Sequence, residues 1–291
     1  MNLKGLGVAV ITPFDKNGSI DFFTFEKYLN KLILSNIDYL VILGTTSEIS
    51  TLSILEQIEI SEFVVRINNN RLPLVIGIGG NDTSSIVYKL NKFKLSNFQS
   101  ILSVCPYYNA PSQKGLFQHF SLISSKCPIP LILYNVPSRT GSNIKPSTVF
   151  RLLKNKNNII GIKEASGNKN QFNELLYFSP NNFQIVSGDD IMAADSIING
   201  AVGVISVIAN AFPFKINELV KYSQSKNIRK AFRIQNELLT LMKLIFEEGN
   251  PSGIKALMGE LGVCDNNLRL PLVPVSVELL DAIKIELKLI A

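Results

Sequence analysis

Eight short runs of apolar, largely β-branched residues recur between residues 6 and 206, and segments with helical periodicity lie between them. The runs are LGVAVI (6–11), YLVIL (39–43), LVIGI (74–78), SILSV (100–104), LILY (131–134), IIGIK (159–163), QIVS (184–187) and VGVIS (202–206). Each run is continuously apolar, which suits strands of a parallel sheet buried on both faces. Strands that alternate with helices eight times are typical of a (β/α)8 barrel, so the sequence predicts an α/β fold of the TIM-barrel class.

Residues that begin helices occur between these runs. Ser53 and Glu56 form an S-x-x-E capping box, Asp82 and Ser112 can each cap the helix that follows, and Pro146 suits a first helical turn. These signals support the alternation of strands and helices.

An open, doubly wound sheet is the alternative architecture. Such a sheet usually carries a glycine-rich phosphate-binding turn after its first strand. Here the first run is followed by Thr12-Pro13-Phe14, with neither GxGxxG nor GxxxxGK[ST]. The barrel is therefore favoured.

The strand pattern stops after Asn210, and three helical segments follow: RKAFRIQNELLTLMKLIF, SGIKALMGELG and SVELLDAIKIELKLI. No linker rich in Pro, Gly or Ser separates them from the barrel. We therefore predict a catalytic barrel over residues 1–224 and a C-terminal helical region over residues 225–291 that packs on it.

Charge and composition exclude several classes of protein. Lys and Arg total 29 against 23 Asp and Glu, a net charge of +6, but no basic run of five or more indicates a nucleic-acid surface. The three cysteines form no CxxC pair, so we expect neither a disulfide framework nor a zinc cluster, and a cytoplasmic location. No apolar stretch reaches the ~18 residues that a membrane span needs.

The chain has one histidine, His119, in the amphipathic segment SQKGLFQHFSLISSK. Ser-His-Asp and Cys-His sites, and most catalytic zinc sites, would have to use it. We expect it instead to be a partly exposed helix residue. The chemistry must then come from Lys, Tyr, Thr, Arg or carboxylate side chains.

Reactive groups of such barrels lie at the carboxyl ends of the strands. The residues at those ends carry hydroxyl, phenol, guanidinium, amine and carboxylate groups, and a barrel would bring all of them to one rim. They are Thr45 and Thr46, Tyr108, Tyr134 and Arg139, Lys163, and Asp189 with Asp190. The two aspartates could suggest a metal pair, but adjacent strand-end residues point apart, so helix capping by one of them is favoured.

Lys163 is the sharpest of these signals because it ends an apolar strand. An ammonium in an apolar barrel mouth is poorly solvated, which favours the neutral amine, and a neutral amine can attack a ketone to form a Schiff base. The alternative is a lysine that extends to solvent or pairs with Glu164. The spacing alone leaves both open.

Hydroxyl groups surround this lysine on the predicted rim. Without a histidine, Tyr108, Tyr134 and Thr45 could relay protons for Schiff-base chemistry, although buried tyrosines can also merely satisfy hydrogen bonds. Backbone N–H groups and hydroxyls of Thr45 and Thr46 suit a small carboxylate, and the guanidinium of Arg139 suits a second one.

Motifs along the whole chain resemble the dihydrodipicolinate synthase family of class I pyruvate aldolases. They are GTTSE (44–48), PYYNAPSQKGLFQHF (106–120), LYNVPSRTG (133–141), GIKEASG (161–167), SGDD (187–190), GVISVIAN (203–210) and NPSGIKALMGELG (250–262). The resemblance implies a lyase of lysine and diaminopimelate biosynthesis that condenses pyruvate with L-aspartate-4-semialdehyde. It also implies a homotetramer built as a dimer of dimers, and neither a metal nor an organic cofactor.

The resemblance also implies a role for each matching residue. Lys163 would form the Schiff base with pyruvate, and Tyr134, Thr45 and Tyr108 would relay protons, with Tyr108 reaching in from a neighbouring subunit. The substrate-binding residues would be Thr46 and, through its backbone, Ile205 for pyruvate, Arg139 for the semialdehyde carboxylate, and Gly188 in the pocket wall.

Two departures from the family pattern have consequences. Ser47 replaces the usual glycine of GTTGE, so the turn could be altered. Ile54, Gln57 and Ser85 stand where lysine-inhibited members have polar and acidic groups, although Asn81 and Tyr107 remain, so we expect weak or absent feedback by lysine.

Two other functions stay open. Another Schiff-base aldolase, such as N-acetylneuraminate lyase or a 2-keto-3-deoxy sugar acid aldolase, would need hydroxyl partners for a polyol, whereas Arg139 favours a short substrate with a carboxylate. A barrel without catalysis would be indicated by loss of Lys163, Tyr134 or Thr45, and all three are present.

Overall fold

The computed structural model describes residues 1–155 and 158–290. Eight parallel strands close into a barrel in sequence order, as predicted. The strands are β1 (Gly5–Ala9), β2 (Tyr39–Ile42), β3 (Leu74–Gly77), β4 (Ser100–Val104), β5 (Leu131–Asn135), β6 (Ile159–Glu164), β7 (Gln184–Ser187) and β8 (Gly203–Ser206). All eight carboxyl ends therefore lie on one rim.

Helices lie between the strands and continue after the last one. They are α1 (Phe22–Ile33), α2 (Ile54–Asn68), α3 (Thr83–Leu90), α4 (Gln113–Lys126), α5 (Pro137–Thr140), α6 (Pro146–Lys154), α7 (Lys169–Phe178), α8 (Ala193–Ile198), α9 (Pro213–Gln224), α10 (Ile228–Glu247), α11 (Ser252–Glu260) and α12 (Val277–Ile290). Short 3-10 turns cover Thr45–Ser47, Ile49–Thr51, Leu95–Asn97 and Ile208–Asn210.

The predicted helix starts are confirmed. Ser53 and Glu56 form the complete capping box of α2, Asp82 caps α3 and Ser112 caps α4 through their side chains. Pro146 opens α6. These signals depend on neighbours in sequence, so they could be read without knowledge of the fold.

The barrel closes where β8 pairs with β1, with Gly5 opposite Gly203 and Leu6 opposite Val204. A Cβ atom at position 203 would lie 2.0 Å from the backbone oxygen of Gly5, closer than any real Cβ contact. Closure therefore requires a glycine at the start of β8.

Two apolar clusters flank the sheet. One fills the barrel interior with residues that include Ala9, Val41, Leu102, Tyr134 and Ile205. The larger one packs the helices against the outer face of the strands. Burial on both faces explains why the strand sequences are continuously apolar.

The C-terminal helices pack on the rest of the chain. Helix α10 contacts α8 and α9, and helices α11 and α12 contact α10. The division into residues 1–224 and 225–291 stays a prediction, and residue 291 lies outside the described residues. Within the described ranges, no helix is both long and apolar enough to cross a membrane.

His119 lies on α4 as predicted, but the expectation of partial exposure is wrong. Its side chain is buried, its Nδ1 lies 2.8 Å from the Thr83 hydroxyl, and its buried Nε2 has no partner among the described residues. Burial lowers the pKa of the imidazole from 6.5 to about 4, partly opposed by the charge of Asp82.

This burial makes the unfolding free energy depend on pH. Between about pH 6.5 and 4 the unfolded state binds a proton at His119 that the folded state does not, so this contribution to stability is complete above pH 6.5 and is lost as the pH falls. We expect His119→Gln to flatten the stability profile in this window relative to wild type. Urea unfolding at a series of pH values measures it, and parallel profiles for the two proteins would contradict it.

Candidate active site

A cavity of about 430 Å³ opens at the carboxyl ends of the strands. Six of the eight predicted site residues line it: Thr45, Thr46, Tyr134, Arg139, Lys163 and Gly188. The other two, Tyr108 and Ile205, do not line it in this single chain. Ile205 is buried in the barrel interior, and Tyr108 is 88% exposed.

Lys163 lies on β6 beside Tyr134 on β5, in direct register. Its side chain is only 5% exposed, and its Nζ lies 4.4 Å from the centroid of the Tyr134 ring. Among the described residues, no carboxylate forms an ion pair with it. The amine is therefore shielded from water and bordered by an aromatic face.

The alternative interpretation of Lys163 is not supported. Glu164, the next residue, is buried and accepts hydrogen bonds from the side chains of Asn135 and Gln171 and the backbone N–H of Ser166. Successive residues of a strand point to opposite faces, so the two side chains diverge. Lys163 is thus left for the cavity.

The absence of a side chain at Gly188 leaves room for the side chain of Lys163. A Cβ at position 188 would lie 2.8 Å from Cε of Lys163 and 2.7 Å from Cβ of Ala165. The backbone of residue 188 therefore runs against the stem of the lysine, and any side chain there would displace it. This close approach explains the predicted pocket-wall role of the glycine.

The threonine turn at the mouth is held by contacts from distant parts of the chain. Thr46 is buried, and its Oγ1 accepts a hydrogen bond of 3.1 Å from Nδ2 of Asn250. The hydroxyl of Ser47 donates to the carbonyl of Val10 at 2.5 Å, and the Thr12 hydroxyl donates to the carbonyl of Ser47 at 2.9 Å. The serine that departs from the family pattern therefore adds an anchor to this turn.

A fully buried ion pair fixes the other end of the same turn. Glu48, with φ +55°, follows the threonines, and its Oε1 lies 2.5 Å from Nζ of Lys255 on α11. The amine also donates to the carbonyl of Asn267 at 2.8 Å, and the N–H of Arg269 donates to the second carboxylate oxygen at 3.1 Å. Burial lowers the pKa of Lys255, and Glu48 opposes that shift.

The roles of Asn250 and Lys255 were not predicted from the sequence. The available signal was Lys255 itself, a lysine among apolar residues of the segment SGIKALMGE. Its partner Glu48 lies 207 positions earlier in the sequence. Only the fold brings the two together.

The three predicted relay residues are only partly assembled. Tyr134 and Thr45 both line the cavity, and Tyr134 is buried. Tyr108 projects into solvent from a backbone with φ +74°. Such a conformation is unfavourable for a bulky side chain and is typical of functional positions.

Arg139 lies in the short helix α5, where it is exposed at the mouth of the cavity. A guanidinium at this position is free to meet an anionic group that enters. The cavity thus combines a shielded amine in its wall with an accessible cation at its mouth.

The two aspartates after β7 accept hydrogen bonds from backbone N–H groups. Asp190 is buried and accepts two hydrogen bonds of 2.9 Å from the N–H groups of Val207 and Ile208, and Asp189 accepts one from Ile191. Asp190 therefore holds the backbone just after β8, where the 3-10 turn Ile208–Asn210 begins, and neither aspartate caps the helix α8 that follows them. In the described ranges, no cluster of three or more His, Cys, Asp or Glu could hold a metal ion.

Known proteins resemble this chain over nearly its whole length. The dihydrodipicolinate synthetase family matches residues 2–290. The 4-hydroxy-tetrahydrodipicolinate synthase of Karelsulcia muelleri (strain GWSS) is 44% identical over 93% of this chain and 92% of its own, and that of Cytophaga hutchinsonii is 44% identical over 96% and 94%.

Solved structures agree with the sequence relatives. The 4-hydroxy-tetrahydrodipicolinate synthase of Methylacidiphilum fumariolicum SolV superposes with a TM-score of 0.95 at 38% identity, covering 99% of this chain and 95% of its own. The dihydrodipicolinate synthase of Aquifex aeolicus superposes with a TM-score of 0.94 at 34% identity, covering 98% and 97%.

The buried pair predicts a specific stability pattern. Lys255→Met should destabilise the fold by about 3–5 kcal/mol because it leaves Glu48 charged and unpaired. The double variant Glu48→Gln with Lys255→Met should recover most of that loss. Urea unfolding of the three proteins measures these differences.

A matched control is the exposed pair Lys94–Glu62, whose side chains are 74% and 51% exposed. Lys94→Met should change the unfolding free energy by less than about 1 kcal/mol. Equal effects of the two lysine substitutions would contradict a special role for the buried pair.

Proposed function

Because this chain belongs to the dihydrodipicolinate synthetase family, it condenses pyruvate with L-aspartate-4-semialdehyde to 4-hydroxy-tetrahydrodipicolinate, and we propose that Lys163 carries this reaction as a Schiff base. The single observation that supports this role is the shielded amine of Lys163, 5% exposed, in the wall of the cavity. The enzyme serves the pathway to diaminopimelate and lysine.

The proposed first step is attack of the Lys163 amine on the ketone carbon of pyruvate. Loss of water gives an imine, and loss of a methyl proton gives an enamine. The low exposure of the amine and its position beside the Tyr134 ring place its nitrogen in the cavity wall, within reach of a keto acid that enters. Thr46 and the backbone of Ile205 would hold the pyruvate carboxylate.

Proton transfers accompany each of these changes. We assign them to Tyr134, which lies beside the amine, with Thr45 and Tyr108 of the partner subunit completing the relay. The exposure of Tyr108 and its φ of +74° support a role outside its own barrel. This assignment requires an oligomer, and we propose a homotetramer built as a dimer of dimers.

In the second half of the reaction the enamine carbon attacks the aldehyde group of the second substrate. Arg139 at the mouth of the cavity holds this substrate through its carboxylate. The amino group of the same substrate then closes the ring and displaces Lys163. The protonated imine of Lys163 accepts the electrons, so the proposed route uses neither a metal nor an organic cofactor. We place the enzyme in the cytoplasm and propose no nucleic-acid or membrane partner.

The remaining alternative is a Schiff-base aldolase that acts on a longer polyol acid, such as N-acetylneuraminate. Purified protein offered pyruvate with L-aspartate-4-semialdehyde should consume pyruvate, and protein offered N-acetylneuraminate should release none. The reverse outcome would overturn the assigned substrate while leaving the Schiff base in place.

Tyr134→Phe removes the proposed proton donor and acceptor but keeps the ring against Lys163. We expect turnover to fall roughly 10²–10⁴-fold, the usual scale for a lost acid–base group, with the fold intact. A matched control is Tyr39→Phe, which removes a buried phenol of the same barrel interior whose Oη lies 3.4 Å from the Leu3 carbonyl. Steady-state kinetics should give near-normal turnover for that control, and equal losses would argue against the relay.

Feedback by lysine is expected to be weak or absent. A second cavity of about 500 Å³ adjoins the first and includes Gln57 in its lining. The amide of Gln57 donates to the carbonyl of Leu52 at 2.9 Å, the hydroxyl of Ser85 donates to Asp82, and Ile54 is apolar. These side chains offer no free carboxylate to a lysine ammonium.

A steady-state assay with increasing L-lysine tests this expectation. Turnover should stay near its uninhibited value across the sub-millimolar range. Half-inhibition within that range would contradict it.

A further inference from the structure

The charges in the cavity wall are unevenly distributed. Among the described residues that line it, Lys163 and Arg139 are cationic and Asp189 is the one carboxylate. L-aspartate-4-semialdehyde brings an aldehyde, a carboxylate and an α-ammonium group. Lys163 and Arg139 suit the imine and the carboxylate, and neither can accept a hydrogen bond from the ammonium.

Asp189 is the residue directly after the one that packs against the reacting lysine. It follows Gly188, whose backbone runs against the stem of Lys163 as described above. Its backbone is fixed by Ser187, whose hydroxyl donates to the Asp189 carbonyl at 3.0 Å and accepts from its N–H at 3.2 Å. Its Oδ1 accepts from the N–H of Ile191 at 2.9 Å, so the carboxylate is held in place.

We propose that Asp189 binds the α-ammonium group of the semialdehyde and removes a proton from it before the ring closes. This inference rests on the proposed function. It makes Asp189 a catalytic residue for the second half of the reaction and the residue that selects an amino acid as the second substrate.

Ring closure begins with a proton transfer. The ammonium gives one proton to the Asp189 carboxylate, and the freed nitrogen lone pair forms a bond to the imine carbon that Lys163 holds. As this bond forms, the π electrons of the protonated imine move to the Lys163 nitrogen. A second proton then moves from the ring nitrogen to the Lys163 nitrogen. The lone pair left on the ring nitrogen forms the C=N bond of the ring as the bond from that carbon to the Lys163 nitrogen breaks, and Lys163 leaves as a neutral amine. Ring closure needs this base because an ammonium has no lone pair to attack with.

The surroundings of the carboxylate suit a base. Burial raises the pKa of the Asp189 carboxyl above its ordinary value, partly opposed by the N–H groups of Ile191 and Met192. A raised pKa makes the carboxylate a better proton acceptor. The neighbouring Asp190 is not available for this role because it holds the backbone at Val207 and Ile208.

The test compares two second substrates in wild type and Asp189→Asn. One is L-aspartate-4-semialdehyde, and the other is 4-oxobutanoate, the same molecule without its amino group. The enamine can attack either aldehyde, but only the first can close the ring. Condensation with 4-oxobutanoate is read by mass spectrometry as a borohydride-reduced adduct on Lys163 that contains both substrates.

Asp189→Asn should lower kcat/KM for the semialdehyde roughly 10²–10⁴-fold. It should form the pyruvate adduct and the 4-oxobutanoate adduct at rates within about twofold of wild type. Asp189→Glu, which keeps a carboxylate, should recover part of the lost turnover. A matched control, Asp82→Asn, makes the same change of charge at the exposed N-cap of α3, where Asn also caps well, and should change neither reaction.

Three results would overturn the inference. Asp189→Asn could turn over the semialdehyde normally, or it could lose both condensations equally, which would indicate a purely structural turn. If the wild-type protein formed no pyruvate adduct, the proposed function would be wrong, and the inference that rests on it would be wrong as well. These outcomes differ in the wild-type trapping experiment, so the two failures can be told apart.

Discussion

Closure of the parallel barrel is the constraint on which the site depends. Because β8 pairs with β1, the eight strands form one ring and their carboxyl ends share one rim. Thr45, Tyr134, Lys163 and Gly188 come from different strand ends and meet around one cavity for this reason. The glycine at position 203 is part of the same constraint, since a side chain there would collide with β1.

Two buried lysines show how the same group can be structural or reactive. Lys255 is compensated by Glu48 and by the carbonyl of Asn267, so its charge fastens α11 to the threonine turn. Lys163 has a tyrosine ring as neighbour and no ion pair in the described part of the chain. A buried amine without a partner is the costlier arrangement, and such cost is typical of a functional site.

Local signals made much of the fold predictable, and the remainder depended on long-range contacts. The strand runs and the caps at Ser53, Asp82 and Ser112 follow from near neighbours. The proposed Schiff-base role of Lys163 likewise follows from its place at the end of the apolar run IIGIK. Two features could not be predicted in this way: the contact of Asn250 with the threonine turn, 204 positions away in sequence, and the burial of His119. Each is set by an element that is distant in sequence.

The central claim is that one shielded lysine forms a covalent imine with pyruvate. The most direct measurement is mass spectrometry of the protein after incubation with pyruvate and borohydride. A single adduct is expected on the peptide that contains Lys163, with the mass of pyruvic acid less one oxygen atom, and none is expected in Lys163→Ala. An unmodified Lys163, or an adduct on another lysine, would contradict it.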